Sequence, residues 1–225
     1  MILKKPNQQK AVFLAKRQLP EFICDAVNLE GINYSVPEVQ TLLQGITVGG
    51  HKLSDQMITL NQAKAWGYLF ESLEKKKFAL TKYFACELHN VAAKDEALEW
   101  GKFRSGAVTI AGTDYLPPKA AILDDQWQIM LDGIENYSGI FEQAIYIFLQ
   151  MARNQFFYDV NKRMGRFMMN GYLLERGYPA INLPAKKQLE FNQLMMDFYP
   201  SNDMRPMINF MKNCINPVHV SILNE

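Results

Sequence analysis

Apolar residues recur at helical spacing along most of this chain, and in only one segment does the pattern suggest strands. Asn61 to Lys77 carries Ala63, Trp66, Gly67, Leu69, Phe70 and Leu73 on that period. Leu80 to Ala93 repeats it with Phe84, Ala85, Leu88 and Val91. Ile140 to Met151 reads as a helix buried on most sides. Arg163 to Glu175 places Met164, Phe167, Met168 and Leu174 on one broad face, and Gly177 with Pro179 ends it. Ala185 to Phe198 and Met204 to Cys214 complete the predicted helices. The predicted fold class is all-α.

The exception is Gly101 to Pro118. Arg104-Ser-Gly106-Ala-Val108-Thr-Ile110-Ala-Gly112-Thr reads as two short extended pieces punctuated by glycine and closed by Pro117-Pro118. A lone β-hairpin on a helical body has no sheet to join, and its edge is open to a partner's strand. The alternative is an ordinary inter-helix loop. Residues 1–50 are richer in turn signals (Pro20, Pro37, Gly45, Gly49, Gly50) and are predicted as an N-terminal helical extension. Residues 51–225 then form the core, with the boundary between His51 and Asp55.

Composition narrows the function. The formal charge of +1 argues against a broad nucleic-acid footprint, so any phosphate site must be local. Cys24, Cys86 and Cys214 are odd in number and far apart, which favours a reducing, cytoplasmic setting over a disulfide framework or a zinc site. No signal-type run opens the chain, and no apolar stretch is long enough for a membrane span. Met195, Met196 and Met207 are candidates either for core packing or for a homodimer contact.

The densest chemistry is Gln155-Phe-Phe157-Tyr-Asp159-Val160-Asn161-Lys162-Arg163-Met-Gly165-Arg166, where a short loop turns into an apolar helix. A helix N-terminus offers free N–H groups and a positive dipole end to phosphate. Asn161 adds an amide donor. Arg163 and Arg166, three residues apart, suit polyphosphate oxygens. Asp159, just outside the helix, is placed to hold magnesium on those phosphates. In isolation the same residues also fit a helix cap and solvated surface arginines.

This stretch resembles the Fic (Fido) signature, His-x-Phe-x-Asp/Glu-Gly-Asn-Gly/Lys-Arg-x-x-Arg, at Phe157, Asp159, Asn161, Lys162, Arg163 and Arg166. Gly101-Lys-Phe103-Arg104 through Val108, Ile110, Gly112 and Pro117-Pro118 is similar to the family's target-docking flap, and Leu88-His89 to the pair that precedes it. Leu29-Glu30-Gly31, with Pro37-Glu38-Val39 and Leu42-Leu43, resembles the family's inhibitory helix, with Ala26 where Ser or Thr is usual.

The resemblance implies a Fic-type helical bundle with one short β-hairpin flap. It implies ATP and magnesium as cofactors, and transfer of AMP to Ser, Thr or Tyr hydroxyls of a target protein. Asp159 would hold the metal. Asn161, Lys162, Arg163, Gly165 and Arg166 would form the nucleotide cradle. Arg104, Val108, Thr109, Ile110 and Ala111 would form the docking flap. Glu30, beside Gly31, would reach Arg166 in place of the γ-phosphate.

Two departures bear on activity. Gln155 stands where the signature carries its histidine. An amide is not basic, and loss of a general base lowers a rate by about 10²–10⁴-fold. Val160 replaces a glycine, and a β-branched residue disfavours positive φ. Lys162 resembles the Doc-type members, which phosphorylate their targets. The expectation is a degenerate Fic domain that binds nucleotide with weak or absent transfer. The alternatives are an active adenylyltransferase or Doc-like kinase, and a ligand-free regulator that binds partners.

Overall fold

The computed structural model describes Leu3 and residues 5–225. Among these residues the helices are α1 (Gln8–Arg17), α2 (Leu19–Asn28), α3 (Val36–Leu43), α4 (Leu53–Glu74), α5 (Lys82–Ala92), α6 (Leu123–Gly133), α7 (Ile140–Asn154), α8 (Asn161–Glu175), α9 (Gln188–Ser201), α10 (Arg205–Lys212) and α11 (Pro217–Asn224). The only β pairing among them is an isolated antiparallel bridge between Ile181 and Ile215. The fold is all-α.

Helices α7 and α8 form the centre. Ile145, Ile147, Phe148, Leu149 and Met151 on α7 are fully buried, as are Met164, Met168 and Met169 on α8. A Cβ at Gly165 would stand 2.9 Å from the Phe148 carbonyl oxygen, so glycine is what lets the two backbones approach. Gly165 therefore acts in helix packing, on the face turned to α7, and not as the ligand contact the motif suggested. Helices α4 and α5 cover α8 from another side.

Helices α1–α3 pack on α4, α8 and α11. Their buried residues Phe22, Ile23, Val27 and Val39 belong to the same hydrophobic cluster as α7 and α8. A capping box fixes the start of α3: Glu38 N–H donates to Ser35 Oγ, and Ser35 N–H donates to the Glu38 carboxylate at 2.7 Å.

Several boundaries differ from the periodicity. Helix α4 begins at Leu53, eight residues before Asn61, because Gln56, Thr59 and Asn61 bury polar side chains that mask the apolar face. A 3-10 turn at Ala185–Lys187 precedes α9, which continues through Pro200. Met195 and Met207 are 1% exposed and belong to the core, while Met196 is half-buried.

The segment predicted as a β-hairpin is a correction. Residues 105–118 are irregular, with a bend at Ser105–Gly106 and a turn at Ala111–Gly112, and no strand is formed among the described residues. Its two arms exchange no backbone hydrogen bonds. A two-stranded ribbon without a sheet gains too little to hold its ladder, and here side chains fasten it instead.

Candidate functional site

The loop between α7 and α8 turns through two left-handed residues. Gln155 closes α7 at φ 49°, ψ 60°, and Val160 opens α8 at φ 64°, ψ 10°. Neither is glycine, and a β-branched valine in this region is strained. Val160 N–H is held by Asp159 Oδ1 at 2.6 Å, and its carbonyl accepts from Met164 N–H at 2.8 Å. No side chain caps α8, so the N–H groups of its first turn at Asn161, Lys162 and Arg163 stay free beside the cavity they line.

The Gln155 side chain is engaged at both ends. Its Nε2 donates to the Ala152 carbonyl at 2.6 Å, and its Oε1 accepts from Asn161 Nδ2 at 2.9 Å. Asn161 is likewise saturated. Its Nδ2 also donates to the Phe157 carbonyl at 2.8 Å, and its Oδ1 accepts from Phe157 N–H at 2.9 Å. With both N–H bonds taken, the Asn161 side chain ties the loop and is not a free donor for an anion. The anion-facing groups at this point are the backbone amides.

The two α8 arginines go to different carboxylates. Arg163 makes a two-pronged contact with Glu96, Nη1 to Oε2 at 2.9 Å and Nη2 to Oε1. Burial works against the Arg163 cation, but Glu96 more than offsets it, and the pKa is raised. Arg166 meets Glu30 through one nitrogen, Nη2 to Oε1, at 3.2 Å. There burial dominates, and the Arg166 pKa falls to about 10. Lys162 Nζ stands 3.7 Å from the other Glu30 oxygen. Burial alone would raise the Glu30 pKa; Lys162, Arg166 and Arg163 together bring it below the ordinary value.

Glu30 is delivered by the end of α2. The chain leaves the helix through Gly31 at φ 84°, a left-handed turn that glycine takes freely. Gln188 on α9 donates to the Asn28 and Leu29 carbonyls at 3.3 and 3.2 Å. Asp25 accepts from Asn182 Nδ2 at 2.5 Å and Ala185 N–H at 2.8 Å. These contacts fix the helix end, and its carboxylate, over α8.

The flap hangs from a buried arginine. Arg104, 2% exposed, donates through Nε to the Gln155 carbonyl (2.5 Å), through Nη1 to Gly106 (2.6 Å) and through Nη2 to Pro118 (2.5 Å). One guanidinium thus joins both ends of the flap to the C-terminus of α7, where the helix dipole favours a cation. Arg104 is an anchor behind the flap and not part of the docking face the motif suggested. Ile110 packs on the core, Val108 is half-buried, and Thr109 and Ala111 are exposed. Thr109, Ile110 and Ala111 line the cavity opposite Gln155 and Asp159. Farther along, Arg153 stacks 4.2 Å from the Tyr115 ring centroid.

His89 is fully buried, stacked on Phe157 with ring centroids 3.9 Å apart. Its Nδ1 accepts from Gly101 N–H at 3.1 Å, so Nε2 carries the proton and donates to the Asp159 carbonyl at 3.3 Å. Burial, against the Asp159 hydrogen bond, lowers its pKa to about 4. Both nitrogens are occupied, so it cannot act as a base in the cavity. His219, on α11, does not line the cavity either.

The cavity at the start of α8 measures about 290 Å³. Glu30, Lys162 and Arg163 border it on one side, and Asn192, Met196 and Tyr199 on another. Asp159 is exposed at its edge, and no cluster of three metal-binding side chains occurs among the described residues. One carboxylate beside a helix start fits magnesium only with ligand oxygens to complete its shell, since the ion binds through one or two carboxylates and substrate oxygens. The sequence reading missed Glu96, Asn192 and Tyr199. Glu96 lies 67 residues from Arg163 in a short turn after α5, and nothing local marks it as an arginine partner.

The site thus sets a helix start with free amides between an acidic helix end and a flap, on an all-α fold. Residues 79–173 match the Fic/DOC family model. Curated relatives include the protein adenylyltransferase Fic of Drosophila persimilis, 25% identical over 201 residues, and that of Drosophila melanogaster, 24% identical over 202. The matches take in 86% of this chain but 39% and 40% of those two proteins, so the chain spans about two fifths of their length. Among solved structures, a Fic domain-containing signaling protein from Bacteroides thetaiotaomicron superposes with a TM-score of 0.78 at 18% identity, covering 99% of this chain and 91% of the other. Fic-1 of C. elegans gives 0.78 at 17% identity, covering 93% and 63%. The chain thus shares the fold of these Fic proteins, and its likeness to the Fic/DOC family model lies within residues 79–173.

Proposed function

We propose that this chain binds a nucleotide or other polyphosphate at the start of α8, and that it transfers AMP to protein hydroxyls weakly or not at all. The observation that carries this reading is the state of Gln155. It stands at the position of the family histidine, cannot accept a proton, and has both ends of its amide committed to Ala152 and Asn161. No histidine among the described residues lines the cavity to replace it.

Binding is supported by the free first-turn amides of α8 and by Lys162 on the cavity wall, with Arg166 held behind them by a single contact to Glu30. ATP with magnesium is the ligand proposed. Asp159 would hold the ion, which would neutralise phosphate charge when bound. Glu30 occupies Arg166 and Lys162 until nucleotide displaces it, so it acts as a brake on binding. The flap edge at Val108 to Ala111 offers unpaired backbone groups to an extended segment of a target protein.

A second reading, an active adenylyltransferase, rests on the names of the relatives. Labelling with radiolabelled ATP separates the two. Wild type should label neither itself nor added protein above background, whereas a Gln155→His, Glu30→Gly double variant should label itself. Ready labelling by wild type refutes the degenerate reading. Silence in the double variant assigns the defect to Val160 or Lys162 as well.

A further inference from the structure

Next to the nucleotide cavity, with Arg163 lining both, lies a second and much smaller space of about 20 Å³. Gln62, Trp66, Arg163, Arg166, Phe167 and Asn170 border it. That volume holds one water-sized species and excludes a phosphate. Gln62 is 1% exposed, and its Nε2 has no hydrogen-bond partner. A buried amide donor without an acceptor destabilises the fold, so such groups are rare unless something unseen satisfies them.

The other borders are also donor-rich. Arg166 gives only Nη2 to Glu30, which leaves the rest of its guanidinium without a carboxylate. Arg163 uses Nη1 and Nη2 on Glu96 and has Nε to spare. Asn170 is paired with the Ile181 backbone at both ends of its amide, Oδ1 accepting from N–H at 2.8 Å and Nδ2 donating to the carbonyl at 3.1 Å. Asn182, whose Nδ2 donates to Asp25, is the other polar border, and Phe22, Trp66, Phe167, Ile181 and Leu183 give apolar walls.

We propose that this space is a binding site for a single halide-class anion, chloride in solution, held by Gln62 Nε2 and the Arg166 guanidinium. A monatomic anion accepts from several donors at once and brings a countercharge to a buried cation. Water brings acceptor lone pairs but no charge. The site adjoins the nucleotide cavity, sharing Arg163 with it, and its occupancy does not require nucleotide there. It gives Arg166 a second anionic partner besides Glu30.

The direct test is a crystal of the full chain grown in bromide, with data collected at the bromine absorption edge. The expected result is an anomalous peak within hydrogen-bond distance of Gln62 Nε2 and Arg166. Ordinary water density with no anomalous signal, or Gln62 turned to bond the guanidinium itself, overturns the proposal. In solution, raising chloride from about 10 mM to about 300 mM at constant ionic strength, with gluconate as the balancing anion, should raise Tm by ~3 °C. Gln62→Leu removes the amide donor and should abolish that rise. An unchanged chloride response in that variant contradicts the assignment, and the bromide experiment on wild type decides if the variant does not fold.

Discussion

Arg163 and Arg166 lie one turn apart on α8, yet their surroundings are opposite. Arg163 is gripped by both oxygens of Glu96, within one layer of the core, and its cation is favoured. Arg166 touches Glu30 through one nitrogen, from a helix end contributed by the N-terminal fifty residues, and its pKa drops to about 10. The difference separates a structural pair from a releasable one. A two-pronged buried pair holds the helix start in place, whereas a single contact shared with Lys162 can be exchanged for another anion.

Breaking the tight pair should have the largest effect. Glu96→Ala leaves the Arg163 cation buried and unpaired, and denaturant unfolding should show a loss of about 3–5 kcal/mol. The double change Glu96→Leu, Arg163→Met should recover most of that loss, because no charge is then stranded. If Glu96→Ala costs no more than a surface pair, the contrast between the two arginines is wrong.

The next effect is pH-dependent. His89 is neutral in the fold with a pKa lowered to about 4, against an ordinary value near 6.5. Between those values the unfolded chain takes up a proton that the folded chain does not. Stability is therefore unaffected above that window and falls as pH drops through it, by roughly 3 kcal/mol at most. Thermal melts of wild type from neutral to acid should show the fall, and His89→Asn should flatten it over the same range. An equal fall in His89→Asn would assign it to other groups.

A smaller effect sharpens the loop that presents both arginines. Val160 is buried but left-handed at φ 64°. Val160→Gly and Val160→Ala both lose its packing, but only glycine relieves the backbone. The glycine variant should be the more stable by about 1 kcal/mol, against the usual order of the two residues. Chemical unfolding of the pair measures it, and the reverse order would show that the left-handed turn carries no strain.

Much of this was legible in the chain. Helical periodicity marked α5, α7 and α8 closely, because their apolar faces are continuous. Helices α6 and α11 escaped notice: α6 buries only Leu123, Trp127 and Met130, and α11 only His219, Val220 and Leu223. The stretch from Gln155 to Arg166 was visible as a site because its charged residues are adjacent in sequence. Glu30 was legible only through the family resemblance, and the partner of Arg163 was not, since Glu96 is brought close only by packing. Nor could spacing show that Asn161 bonds its own loop, that Gly165 faces α7, or that Arg104 turns inward to three carbonyls. A motif fixes residue types, whereas the direction of each side chain depends on neighbours distant in sequence.

The central claim is that the start of α8 is a polyphosphate cradle braked by Glu30. Calorimetric titration of wild type and Glu30→Gly with Mg·ATP tests it most directly. The account predicts weak binding to wild type and at least about tenfold tighter binding to the variant, a gain of ~1.4 kcal/mol. No heat of binding to either protein, or equal affinity for both, would contradict it.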